Sequence, residues 1–299
     1  MFILYINDLP GSLKHSQVNM YADDTAFYYM DKNIDLVSQY LKIDLSNLHH
    51  WLCANKLSLH LGKTNSILIC NYQKLRHLPS SNLDIALNST SIEQVENLPY
   101  LGVELDSRCN FDAHIKTVTK KLNKSIGVLK RTSPFLPLNT RKMLYNALVL
   151  PHYDYCATVW GNTSQENLTR LQRIQSRAMR IVLKAPPRSH IEELLDTLKW
   201  MSVRQRILYN QMVLMWRIVN DMAPEYLHKN LVYAADTHNY NTSSASDNNL
   251  FLGRGHRSSL FQNCAAKWNK LPAKLRRIDK LNSFKKSLTT HVLKESPKF

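Results

Sequence analysis

Two adjacent aspartates, Asp23 and Asp24, constrain the fold of this chain more than any other feature, because they lie between two strand-like segments. The segments at 18–20 and 25–29 contain the β-branched and aromatic residues that favour strands, and aspartate tolerates the backbone of a tight turn. The sequence therefore predicts a β-hairpin with acidic residues at its tip. The simplest interpretation of such a pair is a solvated turn.

The same two carboxylates also form a candidate metal site. Like charges a few ångströms apart repel each other, and a bound cation removes that repulsion. Mg²⁺ suits the pair because it takes a few carboxylates together with substrate phosphates and water. Two such ions would activate an attacking hydroxyl and stabilise the leaving oxygen of a phosphoryl transfer. Asp23 and Asp24 are therefore the candidate catalytic residues and metal ligands.

The charge of the chain points to a polyanionic partner. Its 299 residues suggest about two domains, and they carry a formal net charge of +16. Nucleic acid is the first interpretation, an anionic membrane surface the second, and a soluble protein that is merely basic the third.

The cysteines indicate the cellular compartment of the protein, and the apolar first residues indicate whether the chain is part of a longer one. Five scattered cysteines without a C-x-x-C pair indicate reduced thiols in an intracellular protein, with no basis for choosing between nucleus and cytoplasm. The apolar run at 2–6 is too short for a signal peptide or a membrane span, so we expect no membrane partner. Its side chains need partners upstream, which predicts that the chain is a piece of something longer.

Secondary-structure patterns predict an α+β fold that becomes helical after about residue 112. A helix is expected from the cap at 31–33 to about residue 51, followed by a buried strand at 66–70 and a short strand through Gly102. The segment 113–131 predicts an amphipathic helix whose outer face is basic and includes Lys120, Lys121 and Lys124. The segment 233–249 is rich in Asn, Ser, Thr and Asp, which indicates a flexible linker before a small basic helical unit at 250–299.

A second basic helix face is predicted near residue 180. Five cations recur at spacings of three and four beside an apolar stripe: Arg170, Arg173, Arg177, Arg180 and Lys184. Solvated faces usually mix charge signs, and this stretch lacks acidic residues from 168 to 183. Contact with nucleic-acid phosphates and a plain solvated face both remain open.

The run Gly62-Lys63-Thr64 resembles the end of a phosphate-binding loop, but Leu57 stands where the first glycine of that loop should be. A nucleotide P-loop is therefore rejected. Lys63 remains as a lysine on a turn that either meets a phosphate or is solvated.

Taken in order, the motifs resemble reverse transcriptases of non-LTR (LINE-type) retrotransposons, the jockey-like group especially. The first set comprises LYINDLP at 4–10, YADD at 21–24, KLSL at 56–59 with GKT at 62–64, and YLGV at 100–103. The downstream set, LPHYDYC at 150–156, VWG at 159–161, LQRIQ at 171–175 and WNKLP at 268–272, resembles the carboxy-terminal region of the same elements. Each motif alone is weak, but the ordered set covers nearly the whole chain.

The resemblance implies a role for each segment. It makes 1–111 a partial reverse transcriptase palm, 112–232 a helical thumb and connection region, and Asp23 and Asp24 the paired palm aspartates that bind Mg²⁺ or Mn²⁺. Lys63 would neutralise the leaving pyrophosphate, and Tyr100, Leu101 and Gly102 would form the primer-grip strand. The basic helices would follow an RNA template and a DNA primer by their phosphates.

The chain also departs from the family pattern. A third metal-binding aspartate, the fingers and the glycine-rich nucleotide-binding helix precede the LYINDLP run in the family and are not present in this sequence. A two-metal site that lacks one carboxylate should bind metal poorly and align substrate poorly. We therefore expect a fragment of an RNA-directed DNA polymerase that is inactive by itself. The alternative is a non-catalytic, basic nucleic-acid-binding remnant.

Overall fold

A computed structural model describes residues 2–70, 83–87, 90–229, 231–234, 249–251 and 260–294. The chain divides into two compact units, Met1–His114 and Ile115–Phe299. The first unit mixes helix with short strands, and the described part of the second is almost entirely helical. The predicted α+β class is confirmed.

The first unit is built from short elements around one long helix. Its described helices are α1 (Phe2–Tyr5) and α2 (Ile34–Ala54), with 3₁₀ turns at Leu9–Ser12 and Leu61–Lys63. Its strands are β1 (Gln17–Tyr21), β2 (Asp24–Tyr28), β3 (Asn65–Ser66), β4 (Ala86–Leu87), β5 (Thr90–Ser91), β6 (Glu93–Gln94), β7 (Asn97–Tyr100) and β8 (Val103–Asp106). The described strands form two-stranded sheets only: β1–β2, β4–β5 and β7–β8 are antiparallel, and β3–β6 is parallel.

Helix α2 organises the core of the first unit, as its spacing predicts. The Asn33 side chain caps it by accepting a hydrogen bond from the Asp35 N–H at 2.9 Å. Its apolar face, which includes the buried Val37, Leu45 and Leu48, packs with partly buried residues of the β1–β2 hairpin such as Val18. The hairpin is thereby fixed against a helix, which a two-stranded ribbon needs because it is marginal alone.

Two strand predictions in this unit are wrong. The predicted buried strand at 66–70 is reduced to β3, because its partner β6 offers only two residues for pairing, and Ile69 is 51% exposed. The predicted strand through Gly102 is instead the turn of the β7–β8 hairpin. Leu101 and Gly102 have φ of 45° and 79°, which is the backbone that a two-residue hairpin turn requires.

The second unit is assembled from helices joined by short connections. In chain order the helices of its described part are α3 (Asp112–Thr132), α4 (Leu138–Leu148), α5 (Leu150–Asp154), α6 (Ala157–Trp160), α7 (Gln165–Leu183), α8 (Ile191–Leu198), α9 (Val203–Val219), α10 (Glu225–His228), α11 (Leu260–Asn269), α12 (Ala273–Arg276) and α13 (Leu281–Lys294). The helix predicted at 113–131 is confirmed as α3. Its apolar stripe is buried: Ile115, Val118, Leu122, Ile126 and Leu129.

Aromatic packing and one glycine bring the helices of this unit together. Trp216 of α9 stacks on Phe284 of α13, with ring centroids 5.8 Å apart. Gly161 follows α6 and is buried, and a Cβ at this position would overlap both the Ala157 carbonyl oxygen and the Ile207 side chain of α9. Only glycine therefore permits this close approach of α6 and α9.

No helix in the described residues is long and apolar enough to cross a membrane. The linker predicted at 233–249 lies outside the described residues except at its ends.

Candidate active site and nucleic-acid interface

The acidic pair lies at a tight antiparallel turn, as predicted. Tyr21 pairs with Asp24 across the hairpin, so the connecting loop is Ala22 and Asp23, and Asp24 is already the first residue of β2. Ala22 has a φ of 54°, a left-handed conformation that costs a residue with a side chain on the order of 1 kcal/mol or more. Backbone strain of this kind is common where a turn must present functional groups.

Both aspartates of the turn are exposed, and in the described part of the chain neither carboxylate has a hydrogen-bond or ion-pair partner. Tyr21 beside them is 67% exposed. Across the described residues, no set of three or more His, Cys, Asp or Glu side chains is placed to hold a metal ion. The turn thus offers two carboxylates and no third acidic ligand from the part of the chain that the structure describes.

A buried carboxylate on α2, which the sequence did not identify, holds the hairpin in place. Asp44 is fully buried and accepts hydrogen bonds from the backbone N–H groups of Lys14 at 2.8 Å, His15 at 3.0 Å and Ser16 at 2.6 Å. These donors belong to the segment that leads directly into β1. The position of Asp44 on the apolar stripe of α2, three residues after Leu41, was the signal that could have revealed it.

The Asp44 hydrogen bonds favour its ionised form. Desolvation by burial raises the pKa of this carboxyl group, but the hydrogen bonds from Lys14, Ser16 and His15 together outweigh it and lower the pKa below its ordinary value. Nearby, the ring of Tyr40 on α2 lies 4.2 Å from that of His15 and 5.1 Å from that of Tyr29. The base of the acidic hairpin is therefore tied to α2 by charge-assisted hydrogen bonds and by ring contacts.

The other positions predicted for chemistry lie on turns. Lys63 is exposed at the end of the 3₁₀ turn Leu61–Lys63, two residues before β3 begins. Tyr100 ends β7, and Leu101 and Gly102 form the turn that follows it. In the described part of the chain no ion pair joins Lys63 to Asp23 or Asp24, so the roles of these residues stay predictions.

The basic faces of α3 and α7 differ in how many of their cationic side chains are hydrogen-bonded to other groups of the protein. Lys120, Lys121 and Lys124 on α3 are exposed, as is Arg173 on α7. Three other α7-region cations contact neighbouring groups: Arg177 donates to the Asn123 side chain, Arg180 to the Ser189 carbonyl at 3.2 Å, and Lys184 to the Pro134 carbonyl at 3.4 Å.

Arg170 pairs with Glu166 one turn earlier on α7, at 3.6 Å. The predicted row of cations is thus present on one helix, but most of its members are also held by other parts of the second unit.

Sequence comparisons place the chain beside mobile-element polymerases. It is 27% identical over 169 residues to the probable RNA-directed DNA polymerase from transposon BS of Drosophila melanogaster, covering 56% of this chain and 18% of that protein. It is 22% identical over 198 residues to the RNA-directed DNA polymerase from mobile element jockey of Drosophila melanogaster, covering 62% and 21%.

A third relative is the retrovirus-related Pol polyprotein from type-1 retrotransposable element R1 of Bradysia coprophila, 28% identical over 140 residues, or 46% of this chain and 13% of that protein. No protein-family model matches the chain, and no solved structure does. The chain spans about a fifth of the length of the curated relatives that it matches first. The resemblance expected from the ordered motifs is confirmed: over about half of its length, this chain is similar to RNA-directed DNA polymerases of jockey-like, LINE-type retrotransposons.

Proposed function

We propose that this chain is a fragment of an RNA-directed DNA polymerase, with a partial palm at 1–111 and a helical thumb and connection region at 112–232. The observation that carries the proposal is the acidic hairpin, where Asp23 and Asp24 are exposed side by side on a strained turn. The names of the mobile-element relatives support the same reaction class. The segment 250–299 would follow a linker at 233–249 as a small basic helical unit.

The acidic pair fits a divalent cation. Mg²⁺ needs only one or two carboxylates when substrate phosphates and water complete its shell, and Mn²⁺ accepts the same oxygen ligands. Asp23 and Asp24 would hold such an ion, which supplies electrostatic stabilisation of the oxygens that attack and leave during nucleotidyl transfer. The chain's own part in this chemistry is to fix the two carboxylates, through the α2 contacts of Asp44, where a primer end can approach.

The chain by itself should be catalytically inactive, because a third carboxylate and a surface for the incoming nucleotide would come from an upstream palm and fingers. The hairpin supports this interpretation. In the described residues β1 and β2 pair only with each other, and the first unit exposes several apolar side chains: Phe2, Ile3, Leu4, Tyr5, Tyr21, Tyr28 and Met30. Open strand edges and exposed apolar groups are typical of a sheet that is completed by other residues.

The template and the primer would bind through their phosphates to the basic helices. The exposed lysines of α3 and the cations of α7 lie on helices whose opposite faces are buried. Contacts of this kind are independent of sequence, as a polymerase that copies any template requires. The partners are therefore an RNA template and a DNA primer.

Primer extension tests the catalytic part of this proposal. The chain alone, given Mg²⁺, an RNA template and a DNA primer, should synthesise no DNA. When the chain replaces the matching segment of the jockey polymerase, synthesis should return, and Asp23→Asn should abolish it without weakening RNA binding. Asp35→Asn, an exposed aspartate on α2, is the matched control and should leave synthesis unchanged. Synthesis by the chain alone, or synthesis that survives Asp23→Asn, would contradict the proposal.

The alternative is a non-catalytic nucleic-acid-binding remnant, which the net charge of +16 and the exposed cations of α3 and α7 favour. If about six phosphates are contacted, affinity should fall roughly a thousandfold between 50 and 200 mM salt. Binding that does not respond to salt, or no binding, would remove this alternative. Salt-dependent RNA binding combined with an inactive jockey replacement would favour it over the polymerase fragment.

A further inference from the structure

A groove lies between α3 and α7 within the second unit. Asn123, Gly127 and Lys130 line one side at helical spacing, and Arg177, Arg180 and Ile181 line the other. Its volume is about 570 Å³, within the range of sites that hold one nucleotide-sized molecule. It is much too small for a duplex.

The groove combines cations with an apolar floor. Lys130 is exposed and has no ion-pair partner among the described residues, and none of the described lining residues is acidic. The guanidinium groups of Arg177 and Arg180 are oriented by Asn123 and by the Ser189 carbonyl, so less conformational freedom is lost when an anion binds. Ile181, which is partly exposed, and Pro187, which is exposed, supply the apolar surface.

Gly127 keeps the groove open. It lies in the interior of α3, where glycine is the least favourable residue for a helix apart from proline. A Cβ at this position would meet no atom within 4 Å, so close packing does not require glycine here. The absence of a side chain instead leaves the helix backbone accessible from the groove.

We propose that this groove binds one nucleotide of a single-stranded nucleic acid, with the phosphate at Lys130, Arg177 and Arg180 and the unpaired base against Ile181 and Pro187. The proposal rests on the nucleic-acid binding proposed above and assigns a specific site to it. A paired base would not reach the apolar floor, whereas an unpaired base exposes a flat face that packs on apolar and guanidinium groups. The site therefore distinguishes single strands from duplexes.

The test compares matched variants of the full chain in binding to short oligouridylate, oligothymidylate and a blunt duplex. Gly127→Leu fills the groove without changing charge, and it should weaken single-strand binding by about tenfold, the loss expected for one stacked base, while duplex binding stays unchanged. Gly127→Ala should have little effect. Lys130→Gln should reduce the salt dependence of single-strand binding by about one phosphate. Lys116 is an exposed lysine of α3 outside the groove, so Lys116→Gln should change the affinities for single strands and for the duplex equally.

Thermal melts of each variant show whether the fold is intact, and Gly127→Leu should not lower the melting temperature because leucine favours helix. If Gly127→Leu does unfold the chain, the groove is tested instead by comparing how Lys130→Gln and Lys116→Gln change single-strand binding. Tighter binding of oligouridylate and tighter binding of oligothymidylate would each support the proposed binding site. If Gly127→Leu leaves single-strand affinity unchanged and the two lysine variants lower it equally, the groove is not the binding site. The proposed function would be unaffected by that result. Absence of all nucleic-acid binding would overturn both, and groove-dependent binding of oligoglutamate alone would assign it to an acidic protein.

Discussion

Replacing Asp44 with asparagine should loosen the acidic hairpin while leaving its two carboxylates untouched. Asp44 accepts three backbone N–H groups with both carboxylate oxygens: Oδ1 takes Lys14, and Oδ2 takes His15 and Ser16. An asparagine keeps one acceptor oxygen and turns an NH₂ group toward the remaining donors. At least one of these partly buried hydrogen bonds is therefore lost.

The size of the effect follows from these contacts. Hydrogen bonds to a charged group contribute about 1.5–3 kcal/mol each, and a buried donor left unpaired costs about 1–3 kcal/mol. Because one acceptor survives, we expect the Asp44→Asn variant to lose about 3 kcal/mol of stability. With a urea dependence near 2 kcal/mol per molar, the unfolding midpoint of the first unit should fall by about 1–2 M.

Urea unfolding and amide hydrogen exchange measure the effect together. The amides of Lys14, His15 and Ser16 should lose protection in Asp44→Asn, whereas Asp35→Asn, the exposed control on α2, should cost less than about 1 kcal/mol. Equal effects of the two variants, or unchanged exchange at the three amides, would refute the anchoring role of Asp44.

The pH dependence of Asp44→Asn gives a second check. The folded-state pKa of Asp44 lies below its unfolded value, so its contribution is fully present above the unfolded pKa of about 3.9 and is lost as pH falls through the folded pKa. The stability difference between the wild-type chain and Asp44→Asn should therefore shrink only below about pH 4. A difference that stays constant into strong acid would contradict the argument.

Three further variants, the last with a matched control, test a core contact, a turn and an ion pair. Leu122→Ala removes a fully buried side chain of α3 and should cost about 2–5 kcal/mol in urea unfolding. Gly102→Val places a β-branched residue at a φ of 79° and should destabilise the β7–β8 hairpin by about 1–3 kcal/mol, seen as faster amide exchange there. Asp154→Asn breaks the two-point contact with Arg206, at 2.6 and 2.5 Å, and should cost about 2 kcal/mol, whereas Glu166→Gln in an exposed pair should cost less than about 1 kcal/mol.

Local patterns predicted the elements that depend on local physics. The acidic hairpin, α2 and α3 follow from strand propensity, a cap and apolar spacing, and all three are confirmed. The strand at 66–70 was overpredicted because an apolar run does not say whether a partner strand of equal length exists. Asp44 was missed because its three donors lie 28 to 30 residues away in the chain.

The cations of α7 show a similar limit. Helical spacing places Arg177, Arg180 and Lys184 together, but it does not reveal that each has a hydrogen-bond acceptor elsewhere in the second unit. The groove beside α3 follows from the packing of two helices far apart in sequence. Gly127 within a helical pattern was the one local sign of it, and such a glycine is also compatible with simple tolerance.

The close contact at Gly161 has a genetic consequence. Every single-base change that alters the amino acid at a glycine codon introduces a side chain or a stop, and any side chain at this position would collide with the Ala157 carbonyl oxygen and with Ile207. Among related sequences, the Gly161 codon therefore reports whether the helical unit had to fold. The codons of Asp23 and Asp24 report separately on the acidic turn, so constraint on the turn and constraint on the helical unit can be compared independently.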